Sequence, residues 1–303
     1  MTAPNTEPPL DGSHAWDQAA EGWNRHSALV GDWLREATAA MLDAARIGPG
    51  ARVLDIAAGA GEQTLDIARR VGPSGQVLAT DISPGILALA RHKFHVAGWA
   101  QASTRVADAQ ALGLDGAGFD AAVCRLGLMF CGAPQAALAS AHAALRPGGR
   151  FSALVFGSPQ ANPCIAILMA SAMRHAGLPP PPSPPQSPPP GSLLSLGRPG
   201  LLAELLAATG FADIEVRALP APMRLPSAQH YLDFVRSAGL PIMAILAPLT
   251  PEAQQAAWHD IAQQLARFNA NGQWVGPNEL LLCSATRATA SAVFSTHQEG
   301  TTT

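Results

Sequence analysis

The chain has little charge for its length. Of its 303 residues, 14% are Asp, Glu, Lys or Arg, whereas a typical soluble domain has about 25%. Its only lysine is Lys93, no cluster of basic residues occurs, and the formal net charge is −3. Nucleic-acid binding depends on clustered lysine and arginine side chains that neutralise phosphates. The composition therefore predicts no nucleic-acid partner and favours a small-molecule ligand.

The sequence also lacks long apolar runs and paired cysteines. No apolar run approaches the ~20 residues of a membrane-spanning helix, so no membrane insertion is expected. The first residues show no basic segment followed by an apolar one, so no signal peptide is expected. The four cysteines form no C-x-x-C pair, which favours a reducing cytoplasm. No H-x-x-x-H pair or carboxylate cluster predicts a metal site, and no G-x-S-x-G turn predicts a hydrolase.

The most informative segment is a glycine turn between two apolar runs. The first run contains Asp55 and ends in a turn with Gly59 and Gly61. A helical pattern follows over 63–71, and a second apolar run ends at Asp81. Glycine lets a backbone turn tightly and approach a ligand closely. Strand, loop, helix and strand in this order form the first half of a nucleotide-binding α/β domain, whose acid after the second strand accepts hydrogen bonds from ribose.

The residues of the turn discriminate between ligands. A dinucleotide loop reads G-x-G-x-x-G and binds a pyrophosphate at a helix N-terminus. Here Gly61 is followed by Glu62, Gln63 and Thr64, so the third glycine is absent. The carboxylates of Asp55 and Glu62 would repel a pyrophosphate and suit a cationic ligand. S-adenosylmethionine, which has an ammonium, a sulfonium and no phosphate, is therefore favoured over NAD(P).

The turn resembles the first motif of the class I S-adenosylmethionine-dependent methyltransferases, (V/L)LD-x-(A/G)-x-G-x-G. Further stretches resemble that family's motifs in the same order. They are Asp81 after the second strand, Ala107-Asp108-Ala109 after the third, Phe119 to Arg125 as the fourth, and Leu145 to Arg150 as the turn into the fifth. The stretch from Arg125 to Phe130 is similar to the ubiquinone/menaquinone-biosynthesis-type branch. The resemblance covers residues 50–156 well and the remainder loosely.

The resemblance implies a set of cofactor contacts. The methionine end of the cofactor would contact Asp55, Ala57, Gly59 and Gly61. The ribose would contact Asp81 and Ile82, and the adenine would contact Ala107, Asp108 and Ala109. Two further contacts would come from Arg125, after the fourth strand, and from Trp23, in an N-terminal lid. Structural roles stay open for several of them. Asp81 could cap the next helix, although Ser83 is better placed for that role. Asp108 could be a solvated acid in a loop. Arg125 could pair with a structural acid, and Trp23 could be a core residue.

The pattern of elements predicts an α/β fold. We expect a Rossmann-like, seven-stranded, mostly parallel sheet with helices on both faces and a final reversed pair of strands. The expected parts are an N-terminal helical lid (1–46), a cofactor-binding core (47–156), a helical insertion (157–209), the end of the sheet with cap helices (210–288) and a flexible tail (289–303). Nine of the 27 prolines lie in Pro179–Pro190, which predicts a polyproline II or disordered loop. It would be either a lid or a solvated insertion.

The expected activity is methyl transfer from S-adenosylmethionine to a small aromatic or quinone-like acceptor. A secondary-metabolite acceptor methylated on oxygen or nitrogen is preferred, and C-methylation of the ubiquinone or menaquinone type is the alternative. In-line displacement at a sulfonium carbon needs positioning more than a base. The sequence shows no clear base, and the weak candidates are His14, His26, His230 and Tyr231. The rivals from other classes are an NAD(P)-dependent oxidoreductase and a non-catalytic cofactor-binding module. The sequence does not distinguish a monomer from a homodimer.

Overall fold

The structure, a computed structural model, describes residues 12–179 and 188–289. Its strands are β1 (Arg52–Ile56), β2 (Gln76–Asp81), β3 (Ala102–Val106), β4 (Phe119–Arg125), β5 (Leu145–Phe156), β6 (Phe211–Pro220), β7 (Met223–Leu225), β8 (Asn269–Ala270), β9 (Gln273–Gly276) and β10 (Glu279–Arg287). Its α-helices are α1 (Ser13–Arg25), α2 (Ser27–Ala44), α3 (Glu62–Val71), α4 (Pro84–Val96), α5 (Pro134–Ala144), α6 (Pro163–His175), α7 (Leu201–Ala208), α8 (Ala228–Ala238), α9 (Leu240–Leu246) and α10 (Pro251–Leu265). None of these helices is both long and apolar enough to cross a membrane. The first eleven residues of the expected lid, the centre of the proline run and all but the first residue of the expected C-terminal tail lie outside the described residues.

Seven strands form one mixed sheet in the order β3-β2-β1-β4-β5-β10-β6. The first five pair in parallel, and β10 runs antiparallel between β5 and β6. Val53, Leu54, Ala122 and Val123 are fully buried in β1 and β4, as expected for strands covered on both faces of a parallel sheet. The predicted α/β class and the reversed final pair are confirmed.

The order of the strands fixes where a ligand can bind. From β1 the chain moves outward to β2 and β3, and then returns to place β4 on the other side of β1. Connections on the two sides of such a reversal diverge, which leaves a crevice outside the carboxyl ends of the strands. The turn after Ile56, the end of β2 at Asp81 and the end of β4 at Arg125 all lie at this crevice.

Local signals set the start of α4 as predicted. Pro84 is its first residue, where the missing N–H costs nothing. The Ser83 hydroxyl accepts a hydrogen bond from the N–H of Ile86 at 3.0 Å. Ser83 therefore caps this helix, and the carboxylate of Asp81 is left for another role.

The elements after β6 include a second sheet and a helix that the sequence does not predict. Strands β7, β9 and β8 form a three-stranded sheet, and α9 lies between α8 and α10. Helix α10 ends at Leu265, and the chain then forms a 3₁₀ turn and enters β8. Strands of two to four residues are too short to show an alternating pattern. This part of the chain therefore contains, besides cap helices, a small sheet that was not expected.

Helix α1 is fixed over the carboxyl ends of the strands at two points. At its start, Asp17 accepts hydrogen bonds from the hydroxyl of Ser83 and from the N–H of Gly85 at 2.9 Å. Near its end, Gly22 lies so close to α8 that an added Cβ would be 1.8 Å from the carbonyl oxygen of Ser237. The helix thereby bridges the sheet domain and the cap.

Candidate functional site

A cavity of about 430 Å³ opens at the carboxyl ends of β1, β2 and β4. Its volume lies within the ~300–1,000 Å³ of small-molecule sites. Nine of the eleven predicted cofactor residues line it: Trp23, Ala57, Gly59, Asp81, Ile82, Ala107, Asp108, Ala109 and Arg125. We call it the sheet cavity. The fold thus brings together residues from four strand ends and from the N-terminal helix.

The glycines of the turn have different tasks. Gly59 has a left-handed φ of +59° and faces open space, since an added Cβ would find only Ile86, at 3.9 Å. Gly61, at φ +88°, does not line the cavity; its added Cβ would be 2.8 Å from the ring of Phe94. Glycine is required there because the loop packs closely on α4. Gly61 therefore shapes the loop, and its contact with the cofactor stays a prediction.

The carboxylate of Asp55 lies beneath the turn and does not line the cavity. It is fully buried and accepts hydrogen bonds from the Gln63 amide and, at 2.6 Å, from the Thr64 hydroxyl. Burial raises its pKa to about 7, although these hydrogen bonds and the charge of Arg125 oppose the shift. Asp55 thus holds the first turn of α3, whose Gln63 does line the cavity, and its own contact with the methionine end stays a prediction.

Asp81 joins two strand ends and still faces the cavity. Its carboxylate accepts the N–H of Gly59 at 3.0 Å and the N–H of Ser83 at 3.0 Å. Burial raises its pKa, and these backbone hydrogen bonds act against the shift. A carboxylate has about four lone-pair positions, so Asp81 can bind the turn and also accept hydroxyl groups of a ligand.

Asp108 both shapes a turn and lines the cavity. Its carboxylate accepts the N–H of Gln110 at 2.8 Å and so caps the 3₁₀ turn of Ala109–Ala111. Gln110 in turn accepts the N–H of Ala133 at 2.7 Å. Asp108 is half-buried, so its exposure does not decide between the two predicted roles, contact with the adenine and a solvated acid in a loop.

The charges around the sheet cavity favour a cationic ligand. Three acids line it, Glu62, Asp81 and Asp108, against one base, Arg125. Glu62 is paired with the ammonium group of Lys93, so Asp81 and Asp108 carry the negative charge that is left for a ligand. Arg125 donates to the hydroxyl of Thr38 at 3.0 Å, and burial lowers its pKa while the charge of Asp55 opposes the shift. Within the described ranges, no group of three His, Cys, Asp or Glu residues is placed to hold a metal ion.

Two tryptophans of α1 cover the cavity. Trp16 packs edge-on against Phe130 with ring centroids 4.9 Å apart, and Trp23 packs in the same way against Phe234 at 5.8 Å. The indole N–H of Trp23 is buried and has no hydrogen-bond partner among the described residues. Trp23 therefore combines both roles foreseen for it, since it packs on a core residue and also lines the cavity.

The candidate bases do not meet at the sheet cavity. His14 bonds to Gln18 and His230 to Ser227, both on the surface. His26 packs on Phe234, and burial followed by the charge of Arg25 lowers its pKa. None of the three lines the cavity. Their role as bases stays a prediction, and their positions in the structure do not support it.

Tyr231 is buried under the cap. It stacks on Trp274 with ring centroids 4.8 Å apart, and burial raises its pKa well above the ordinary value of a tyrosine. It lies outside the sheet cavity and, with so high a pKa, is unsuited to act as a base near neutral pH.

Other lining residues were not anticipated from the sequence. Leu126, at the end of β4, has a left-handed φ of +57°, and no sequence signal marks a leucine for that conformation. Phe130 and Cys131 follow it along the rim, and burial raises the pKa of the Cys131 thiol to about 12. Among these unanticipated residues, only Trp16 could have been predicted from the sequence, because it lies two helical turns before Trp23 and therefore on the same face of the helix.

Comparison with known proteins agrees with this site. Residues 53–149 match the family described as "Methyltransferase domain". A ubiquinone/menaquinone biosynthesis C-methyltransferase, UbiE of Teredinibacter turnerae, is 38% identical over 113 residues, which are 37% of this chain and 45% of that protein. The chain thus spans about half the length of the curated relatives it matches. The predicted resemblance is confirmed for this segment, which is a methyltransferase domain of the class I, S-adenosylmethionine-dependent type.

Solved structures share the fold at low identity. Phosphoethanolamine N-methyltransferase 2 of Haemonchus contortus, in a complex with phosphomonomethylethanolamine and S-adenosylhomocysteine, is similar with a TM-score of 0.55 and 17% identity, over 90% of this chain and 58% of that one. The [4+2]-cyclase SpnF is similar with a TM-score of 0.55 and 17% identity, over 90% of this chain and 97% of that one. The Rossmann-like methyltransferase fold is therefore confirmed.

Proposed function

We propose that this protein transfers a methyl group from S-adenosylmethionine to a small-molecule acceptor. The observation that carries the proposal is the sheet cavity, where the glycine turn of the methyltransferase domain meets Asp81. Three acids and a single base line it, which suits a ligand with a cationic sulfonium and ammonium. The open space above Gly59 admits the close approach of such a ligand.

The residues of the cavity would act by holding and orienting. Asp81 would accept ribose hydroxyls while it keeps the N–H of Gly59 in place. The segment 107–109 would border the adenine, and Gln63, held by Asp55, would border the methionine end. Bound S-adenosylmethionine supplies a methyl group already activated on a sulfonium, so approach and alignment alone can lower the barrier by ~7–11 kcal/mol. No residue needs to act as a base unless the acceptor carries a proton of high pKa.

The acceptor atom is the finer part of the proposal. The curated relatives are named as C-methyltransferases, which supports methylation of carbon. The cap lies outside the matched segment 53–149, so an oxygen or nitrogen acceptor from secondary metabolism remains the alternative. Incubation with ¹³C-methyl S-adenosylmethionine and a panel of phenols, quinols and amines distinguishes them, because the carbon chemical shift of the product reports the atom that was methylated.

The binding test is calorimetric titration with S-adenosylhomocysteine, with NADH in a parallel titration. We expect micromolar binding of S-adenosylhomocysteine and no binding of NADH. Selective binding of NADH would replace the proposal with an oxidoreductase, because the acids at the turn would then have to accommodate a pyrophosphate.

A second candidate is a protein that binds the cofactor without transferring its methyl group. The observation that favours it is the absence of the candidate bases from the sheet cavity, and a similar fold occurs in a protein named as a cyclase. Binding of S-adenosylhomocysteine together with no release of it from S-adenosylmethionine, across the acceptor panel, would support this candidate.

A further inference from the structure

A second cavity, of about 90 Å³, lies under the cap. Side chains from α1, α2, α6, α8 and α9 enclose it, and most of them lie outside the matched methyltransferase segment. We call it the cap cavity. Representative lining residues are Trp33, Phe156, Ile165, Phe234, Ala238 and Ile242.

Among the residues that the structure describes, no Asp, Glu, Lys, Arg or His side chain lines the cap cavity. The polar side chains there are those of Asn278, Tyr231 and the tryptophans, and the raised pKa of Tyr231 keeps its hydroxyl neutral. An ionised group that entered would lose its hydration without gaining a counter-charge, which costs several kcal/mol. The chemistry of the walls therefore selects against a charged ligand.

The two cavities adjoin. Trp16, Trp23, Leu126 and Phe130 line both of them, and these four residues define a junction. Leu126 directly follows β4, next to the cofactor residue Arg125. A molecule in the cap cavity can therefore present one of its atoms to the sheet cavity through the junction.

We propose that the cap cavity binds the methyl acceptor and takes an uncharged aromatic ring as the buried part of that acceptor. Seven of the nineteen lining residues are aromatic, and paired aromatic rings are stabilised beyond the effect of the apolar area that they bury. The cap cavity, at about 90 Å³, is smaller than the apolar cavity of about 150 Å³ that accepts benzene, so it holds only part of a single ring, and the reacting edge of that ring must lie in the junction. The inference rests on the proposed function, because only a methyl donor in the sheet cavity makes the ring an acceptor.

The test uses the protein's own tryptophans. Trp16, Trp23 and Trp33 line the cap cavity, whereas Trp99 and Trp258 line neither cavity and serve as internal controls. The whole protein, labelled with ¹⁵N-tryptophan and saturated with S-adenosylhomocysteine, is titrated with four molecules of one ring: toluene, benzyl alcohol, benzoate and benzylammonium. We expect toluene and benzyl alcohol to shift the indole signals of the first three tryptophans, and the two ions to bind at least tenfold more weakly.

A variant assigns the shifts to the cap cavity. Ala238 lines only this cavity and is buried, so Ala238→Leu should fill it and remove the shifts caused by toluene. Retained affinity for S-adenosylhomocysteine shows that this variant is folded.

The outcomes separate the two proposals. No shift by toluene in the wild-type protein with S-adenosylhomocysteine bound would overturn the cap-cavity assignment and leave the proposed function standing. Equal binding of the ions would overturn the uncharged class. No binding of S-adenosylhomocysteine, with shifts by toluene retained, would refute the proposed function, and with it the role of the ring as a methyl acceptor.

Discussion

The sheet cavity and the cap cavity differ in their side chains and in the part of the chain that builds them. The first lies mostly on residues of the matched segment 53–149 and carries three acids and one base; the second lies mostly on residues outside it and carries no ionised group. The recognisable motifs thus belong to the cavity for a charged ligand. The cap cavity beside it is formed mostly by the additions to the domain, which lie outside the matched segment.

The largest effect on stability is expected for Asp55, which supports the turn of the sheet cavity and does not line the cap cavity. Its pKa of about 7 lies above the ordinary value of 3.8, so between these values the folded state holds a proton that the unfolded state has lost. The stability from this group is complete below about pH 4 and is lost as the pH rises through about 7. The free energy of unfolding of the wild type relative to Asp55→Asn should fall by on the order of 3 kcal/mol over this window.

Urea unfolding at about pH 4, 6 and 8 checks this expectation, with Asp120→Asn as a matched control of opposite sign. The hydrogen bonds that Asp120 accepts from the Arg52 N–H and from Arg146, together with the charge of Arg146, outweigh burial and lower its pKa. Its stabilisation is therefore present above its ordinary pKa and lost as the pH falls. A parallel pH dependence in the two variants would contradict the placement of Asp55.

The sequence predicts the sheet and most of its cavity because the signals there are local. The apolar runs, the turn at Gly59 and the position of Asp81 after β2, together with the resemblance to the methyltransferase family, predict the nine residues that the structure brings to one cavity. The direction of the Asp55 side chain was not predictable in this way, because it depends on which helix residues turn back beneath the loop. The cap cavity was not predictable either, since α9 and the small sheet depend on contacts between distant parts of the chain.

Asp81→Ala should break the sheet cavity and leave the cap cavity intact. The variant removes a carboxylate that faces the ligand and also holds the N–H of Gly59. Loss of a charged hydrogen bond costs about 1.5–3 kcal/mol, so affinity for S-adenosylhomocysteine should fall by about 10- to 150-fold. Calorimetry measures the fall, and the shift of the Trp33 indole signal by toluene should be unchanged.

Asp120→Ala is the control for this prediction. Asp120 lies near the start of β4, while the sheet cavity lies beyond its end, so affinity for S-adenosylhomocysteine should be kept. Wild-type affinity in a folded Asp81→Ala protein would show that Asp81 serves only the turn.

Gly22→Ala should disturb both cavities at once, because α1 lines both. The new methyl group would meet the carbonyl oxygen of Ser237 at 1.8 Å, so α1 must move away from α8. Such overpacking costs about 1–3 kcal/mol, which urea unfolding measures. Gly31→Ala in α2 is the matched control, because no atom lies within 4 Å of its added Cβ; alanine should there stabilise the helix by up to about 1 kcal/mol. Equal effects of the two substitutions would argue against the close contact of α1 and α8.

The smallest effect is expected at Ala57, where the sheet cavity begins. Its left-handed φ of +53° costs an L-residue about 1–2 kcal/mol, and glycine would relieve this strain but lose up to about 1 kcal/mol in chain entropy. Ala57→Gly should therefore change the free energy of unfolding by less than about 1 kcal/mol.

The substitution Ala57→Gly is informative in a double-mutant cycle with Gly127→Ala. The Cβ added at Gly127 would lie 2.4 Å from the Cβ of Ala57. Gly127→Ala alone should cost about 1–3 kcal/mol, and Ala57→Gly should restore most of this loss. If the cost persists in the double variant, the contact that excludes a side chain at Gly127 is the one with Cys124, whose sulfur would be 3.1 Å away.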